Sequence, residues 1–171
     1  MDEPSKRVWA TIDTQALQKN LARVRSLCPE SKIIPVIKAE AYGHGMEQIA
    51  RAIINSHTAI AAFAVATMSE ALALHSLELD IPILLLPGFA DEQELGLCIG
   101  AGIEMVVPSP YQVTILQDRF ESDVLAGVPR LWVKLNSGMN RLGFSSAECV
   151  EAYHTLRGFP EVELVLMSHL A

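Results

Sequence analysis

The stretch Ile60-Ala-Ala-Phe-Ala-Val65, followed by Thr67-Met-Ser-Glu70, contains the two signals from which the architecture of this chain can be inferred. The first part is short and continuously apolar, which is typical of a strand buried on both faces of a parallel sheet. In the second part, the Thr67 hydroxyl and the Glu70 carboxylate have the spacing of a capping box, which satisfies the free amides of a helix's first turn. The stretch therefore predicts a buried strand that leads directly into a helix.

Apolar runs of strand length recur along the whole chain. There are six of them: Ile33–Ile37, Ile60–Val65, Ile81–Leu86, Ile103–Val107, Leu131–Leu135 and Val162–Met167. Their starts lie 27, 21, 22, 28 and 31 residues apart, which leaves room for one helix between each pair. A series that alternates β and α predicts an α/β fold, either a doubly wound sheet or a (β/α)₈ TIM-type barrel.

Helix starts are visible between these runs. Asp13 and Asp91 are suited to cap a helix, and Ser145-Ser-Ala-Glu148 fits a second capping box. A complete barrel needs eight strands, typically in about 250 residues. The 171 residues of this chain contain about six β/α units. The barrel interpretation therefore implies an incomplete barrel, and we expect the chain to be part of something longer.

Composition excludes several classes of function. The net charge is −7, half of the residues are hydrophobic, and no long basic run occurs, so nucleic-acid binding is not expected. The 3 cysteines lie far apart and form no metal-binding or redox pair. No apolar stretch is long enough to cross a membrane, and residues 1–7 lack the apolar core of a signal peptide. These features predict a cytoplasmic protein without a metal site.

The first candidate for chemistry is Lys38, at the end of the first apolar run, in Val36-Ile-Lys-Ala-Glu-Ala-Tyr-Gly-His-Gly45. A lysine beside a buried strand can have a lowered pKa, and its free amine is then a nucleophile toward aldehydes. Catalytic residues of barrels lie at this end of the strands. Tyr42 is placed to offer its hydroxyl to a phosphate. The simpler alternative is a lysine whose stem packs on the core while its amine reaches water.

A second cluster follows the fifth and sixth runs. The stretch Lys134-Leu-Asn-Ser-Gly-Met-Asn-Arg-Leu-Gly-Phe144 places two cations, Lys134 and Arg141, near one strand end. Two like charges so close need an anion, or one of them must be neutral. The planar fork of Arg141 suits a cofactor oxygen, and the simpler alternative is a solvated basic loop. His169 ends the sixth run, where a histidine is commonly a structural hydrogen-bonding residue.

Together these stretches resemble a known family. Ile37-Lys-Ala-Glu-Ala-Tyr-Gly-His-Gly45 resembles the pyridoxal-phosphate signature of alanine racemases, and the stretch from Lys134 to Phe144 resembles their arginine motif. Trp9-Ala-Thr-Ile-Asp13 resembles their N-terminal segment. The resemblance covers essentially the whole chain in the right order. It implies that residues 1–171 are the N-terminal part of such an enzyme, without its last barrel strands and its C-terminal β-domain.

The resemblance also implies roles for five residues. Lys38 would hold pyridoxal 5'-phosphate covalently and act as the base for one hand of the substrate. Tyr42 would bind the cofactor phosphate, and Arg141 would contact the cofactor's phenolic oxygen and orient the substrate carboxylate. Lys134 matches a position that is often carbamylated, and His169 matches a histidine beside the pyridine ring. The implied reaction interconverts L-alanine and D-alanine in a homodimer, for D-alanine biosynthesis or for alanine catabolism.

Two departures from the family pattern lie beside these residues: Glu40 replaces an asparagine, and Asn136 replaces an aspartate. The family's second base, a tyrosine of the β-domain, is absent, so we expect the chain alone not to complete racemisation. Two alternatives remain open. One is a racemase for serine or another amino acid, and the other is a non-catalytic fragment that binds the cofactor.

Overall fold

The computed structural model describes residues 8–121, 130–159 and 162–170. It contains a five-stranded, wholly parallel sheet with the strand order β1-β2-β3-β4-β5. The strands are β1 (Phe63–Val65), β2 (Ile83–Leu85), β3 (Glu104–Val107), β4 (Leu131–Leu135) and β5 (Leu164–Ser168). The N-terminal seven residues, for which the sequence predicts no signal peptide, lie outside the described residues.

The order of the strands distinguishes between the two α/β architectures left open by the sequence. Each strand pairs with the next one along the chain, so the order never reverses. A doubly wound sheet reverses its order at a switch point, where helices change from one face to the other. An unreversed parallel series is the arrangement found in a (β/α)₈ barrel. The predicted partial barrel is therefore confirmed.

The first apolar run differs from the prediction, because it forms two isolated parallel bridges and not a regular strand. Ile33 pairs with Ile60, and Val36 pairs with Ala64. From the first bridge to the second, the chain advances three residues from Ile33 to Val36 but four residues from Ile60 to Ala64. The pairing register therefore shifts by one residue between the two bridges. Pro35 lies in the gap and has no N–H to donate to a ladder. The run nevertheless lies beside β1, where the first barrel strand was expected.

The helices alternate with the strands as the spacing predicts. They are α1 (Thr14–Leu27), the short turn α2 (Lys38–Gly43), α3 (Met46–Ile54), α4 (Met68–His75), α5 (Glu92–Ala101), α6 (Pro110–Glu121) and α7 (Ser146–Arg157). Asp13 and Asp91 cap α1 and α5 with their side chains. Both predicted capping boxes are formed, at α4 and at α7. No described helix is both long and apolar enough to cross a membrane.

The two faces of the sheet pack differently. On the outer face, strand residues such as Phe63, Leu85 and Met105 join the helices in one large buried core. On the inner face, Ala64, Leu84 and Val106 form a second, smaller buried cluster, against which Trp132 and Met167 pack. This alternation of sides is the pattern of a barrel wall, with helices outside and side chains filling the interior.

Candidate active site

The carboxyl ends of the strands meet at one edge of the sheet, and four predicted site residues lie there. Lys38 directly follows the first bridged segment. Lys134 is the penultimate residue of β4, Arg141 lies in the loop after β4, and His169 directly follows β5. Since parallel strands share a direction, their carboxyl ends form one rim. Active sites of (β/α)₈ enzymes occupy this rim.

Lys38 begins a turn with an uncommon backbone. Ile37, immediately before it, is buried. The four residues 39–42 that follow all have φ between 49° and 56°, which is the left-handed region. None of them is glycine, and left-handed dihedrals cost a non-glycine residue about 1–2 kcal/mol. Contacts from elsewhere in the fold must therefore hold this turn in place.

One such contact comes from the carboxylate of Glu70, in the first turn of α4. Its Oε1 accepts a hydrogen bond of 2.7 Å from the backbone N–H of Ala39. Its Oε2 accepts from the N–H of Ala66 at 2.8 Å and from that of Thr67 at 3.1 Å. Burial alone would raise the pKa of Glu70, but these hydrogen bonds outweigh it and lower the pKa below its ordinary value. Glu70 therefore stays ionised and joins two loops.

The side chain of Lys38 is half-buried. Its ammonium forms no hydrogen bond and no ion pair with any residue that the structure describes. An amine without a protein partner is available to react with a ligand.

Glu40, the first departure from the family pattern, does not pair with Lys38. Its Oε2 accepts a hydrogen bond of 3.1 Å from the backbone N–H of Met46, the first residue of α3. A carboxylate at a helix N-terminus satisfies a free amide and complements the helix dipole. Glu40 therefore stabilises the start of α3.

Lys134 is buried, with 7% of its surface exposed. Its partner in the parallel register is Met167, which belongs to the inner face, so Lys134 also points toward the barrel interior. Burial, and then the charge of Arg141, lower the pKa of the Lys134 amine below its ordinary value. The two cations are thus close enough to disfavour each other, as the sequence predicts.

The loop after β4 is ordered by Asn136, the second departure. Its Oδ1 accepts from the N–H groups of Gly138 and Asn140, at 3.0 and 3.1 Å. Its Nδ2 donates to the Oδ1 of Asn140 at 2.9 Å. An aspartate has no side-chain N–H and cannot make this last bond. The Asn136 amide therefore both accepts and donates within the loop that carries Arg141.

Three of the predicted residues line one small cavity. Its lining consists of Lys134, Leu135, Asn136, Ser137, Met139, Arg141, Leu142 and His169. The Ser137 hydroxyl donates to the backbone carbonyl of His169 at 2.9 Å, and the Ser168 hydroxyl lies 2.7 Å from that of Ser137. The loop after β4 is thereby tied to the segment after β5, which keeps His169 beside the two cations.

Tyr42 is placed apart from that cavity. Its side chain is 61% exposed, and it lines a different cavity together with α1 residues such as Leu17 and with Ile37 and His44. The structure therefore places Tyr42 on the turn of Lys38 but not in the cavity of Arg141.

Two carboxylate contacts were missed by sequence reasoning. The capping-box pattern predicts only the local bonds of Glu70, whereas its bond to Ala39 joins residues 31 positions apart. Glu104, buried on the inner face, accepts from the indole Nε1 of Trp132 at 2.7 Å and pairs with Arg130 at 3.3 Å. A charged residue inside the apolar run 103–107 is the signal that points to this second contact.

Comparison with known proteins identifies the family. Residues 12–171 match the family described as "Alanine racemase, N-terminal domain". The chain belongs to the alanine racemase family. The curated alanine racemase of Shewanella sediminis (strain HAW-EB3) is 37% identical over 164 residues, which are 95% of this chain and 44% of that protein. The chain thus spans less than half the length of such racemases.

Solved alanine racemase structures show the same fold. The alanine racemase from Acinetobacter baumannii matches with a TM-score of 0.83 and 38% identity, over 94% of this chain and 43% of that chain. The alanine racemase from Bartonella henselae, solved with covalently bound pyridoxal phosphate, matches with a TM-score of 0.78 and 26% identity. It is matched over 94% of this chain and 44% of its own length.

Proposed function

We propose that this chain provides the cofactor-binding part, and one of the two proton-transfer bases, of an alanine racemase that depends on pyridoxal phosphate. The observation that carries the proposal is the state of Lys38. The residue is half-buried at the active-site rim, and its amine has no partner among the described residues. The covalently bound cofactor of the Bartonella henselae enzyme supports the same choice of cofactor.

The residues present fit pyridoxal phosphate. An aldehyde needs a free amine, which Lys38 supplies. The cofactor's anionic oxygens need donors and cations, and the same rim carries Arg141 beside the buried Lys134. Tyr42 contributes an exposed hydroxyl on the Lys38 turn for the phosphate. The donor set therefore matches both the aldehyde and the anionic groups of the cofactor.

When bound, pyridoxal phosphate withdraws the electron pair that remains after the Cα proton leaves, which makes that proton removable near neutral pH. The protein positions the groups and moves the proton. Lys38 would hold the cofactor through Nζ, and its amine would take or return the Cα proton on one face of alanine. His169 lines the cavity of Lys134 and Arg141 and would pack beside the pyridine ring of the cofactor.

Arg141 orients the substrate carboxylate through its planar fork of donors. Lys134 can lower the repulsion from Arg141 in two ways. It can lose its proton, or its neutral amine can add carbon dioxide and release a proton, which gives an anionic carbamate that pairs with the guanidinium. The same proposal includes three further features of the complete enzyme. They are the second base, which is the family's β-domain tyrosine, a homodimeric assembly, and a cytoplasmic role in D-alanine supply. The proposal also includes Tyr42 and His169 as cofactor-binding residues.

The test is to trap the cofactor on the protein. The full-length polypeptide that carries this sequence is incubated with pyridoxal phosphate, reduced with borohydride, digested and analysed by mass spectrometry. The reduced cofactor is expected on the peptide that contains Lys38 and is expected to be absent from Lys38→Arg. Lys32→Arg, a change at an exposed lysine near the same run, is the matched control and should keep the label. A label that persists in Lys38→Arg would overturn the assignment.

A further inference from the structure

The Glu70 carboxylate makes one contact with a distant segment of the chain that a capping box does not require. A capping box needs only that the carboxylate accept the N–H at the helix start, here that of Thr67. Glu148, in the second capping box of the chain, does this by accepting from Ser145 at 2.9 Å. Within the described residues Glu148 reaches no amide of another segment, whereas Glu70 also accepts from Ala39. The extra bond is therefore not explained by the stability of α4.

The Ala39 N–H belongs to the peptide plane that joins Lys38 to Ala39. Because a peptide unit is planar, fixing the direction of this N–H fixes ψ of Lys38, the rotation about its Cα–C bond. The direction taken by the chain after Lys38 then follows. Ala39 is also the first of the four left-handed residues, so the bond acts where the strained turn begins.

We infer that Glu70 is a positioning residue for Lys38: its carboxylate holds the Lys38–Ala39 peptide plane so that the amine faces the cofactor site. This inference rests on the proposed function. Glu70 acts on the backbone and not on the ammonium, since it forms no ion pair with Lys38. If the peptide plane turns away, only the fraction of molecules with the turn in place binds the cofactor, and the apparent affinity falls by that fraction.

The experiment compares Glu70→Gln with Glu148→Gln in the full-length polypeptide that carries this sequence. Each change removes one carboxylate from a capping box, but only the first also affects Ala39. A glutamine amide nitrogen cannot accept, so the Glu70→Gln side chain cannot satisfy all three N–H groups. Three quantities are measured: the affinity for pyridoxal phosphate by absorbance titration, the site of borohydride trapping, and hydrogen exchange at the Ala39 amide by NMR.

Glu70→Gln is expected to weaken cofactor affinity by about tenfold or more, since a hydrogen bond to a charged group is lost. It is also expected to speed exchange at Ala39 by a similar factor. Glu148→Gln is expected to change neither quantity, although both variants lower the stability to urea. If Glu70→Gln fails to fold, Glu70→Asp replaces it, because the shorter side chain keeps the charge but cannot span both loops.

The outcomes separate the two proposals. Normal trapping on Lys38 in the wild-type protein, with equal affinity and equal Ala39 exchange in the two glutamine variants, would overturn the role of Glu70 and leave the proposed function intact. Trapping on another lysine in the wild-type protein would overturn both. An affinity loss of the same size in both variants would show that Glu70 acts only through helix stability, which also overturns the inference.

Discussion

Gly143, in the loop after β4, offers a sharp test of how this loop is fixed. Its φ is 113°, a backbone conformation that residues with a side chain rarely adopt. A Cβ added there would lie 2.8 Å from the backbone nitrogen of Asn136 and 3.0 Å from the carbonyl oxygen of Lys134. Two backbone hydrogen bonds of 2.8 Å hold these neighbours in place. The Phe144 N–H donates to the Lys134 carbonyl, and the Asn136 N–H donates to the Phe144 carbonyl. The backbone cannot move aside without breaking them.

The magnitude of the change Gly143→Ala follows from two costs. A residue forced into a sparsely populated backbone region costs about 1–3 kcal/mol. An added methyl group that overlaps fixed atoms costs about another 1–3 kcal/mol. The free energy of unfolding of the variant is therefore expected to fall by at least about 2 kcal/mol. This is a large fraction of the roughly 5–15 kcal/mol by which a typical domain is stable.

The assay is equilibrium unfolding in urea, with Gly100→Ala as the matched control. Gly100 lies inside α5, is exposed, and would have no atom within 4 Å of its added Cβ. Alanine favours a helix over glycine by about 0.5–1 kcal/mol, so this control is expected to gain stability. If Gly143→Ala unfolds at the wild-type urea concentration or above it, the described closure of the loop on β4 is wrong.

Three further predictions concern single side chains. Because the folded-state pKa of Lys134 lies below its ordinary value, the unfolded chain binds more protons between the two pKa values, and the free energy of unfolding rises with pH in that window. Lys134→Met should flatten this rise when urea unfolding is measured in buffer free of carbon dioxide. If the dependence of stability on pH is unchanged in the variant, the argument from the burial of Lys134 is refuted. Arg141→Lys should lower kcat/KM for alanine in the full-length enzyme, since an ammonium lacks the planar fork; unchanged turnover would make Arg141 a surface charge. Cys28 is exposed while Cys98 and Cys149 are buried, and burial, together with the smaller effect of the Glu94 charge, raises the pKa of Cys98 to about 12. Iodoacetamide should therefore modify Cys28 alone in the native protein and all 3 cysteines in urea. Labelling of Cys98 in the native protein would contradict the fold.

Much of the fold could be predicted because its signals are local. A capping box such as that of Thr67 and Glu70 depends on residues three positions apart, and the structure forms it as expected. The apolar runs and their spacing place the parallel strands for the same reason. The run of Ile33 is the exception: its residues are apolar enough for a strand, but Pro35 removes a donor and the pairing slips.

The features of the candidate site also fall into those that the local sequence predicts and those that only the fold reveals. The order of residues shows that Lys134 lies near the end of a strand and that Lys38, Arg141 and His169 follow strand segments. Parallel strands bring such positions to one rim. The bond from Ala39 to Glu70 became visible in the folded chain, because no sequence pattern reports a contact between two loops. The burial of Lys134 on the inner face also required the fold, since a strand alternates its sides and the packed neighbours alone fix which side is inward.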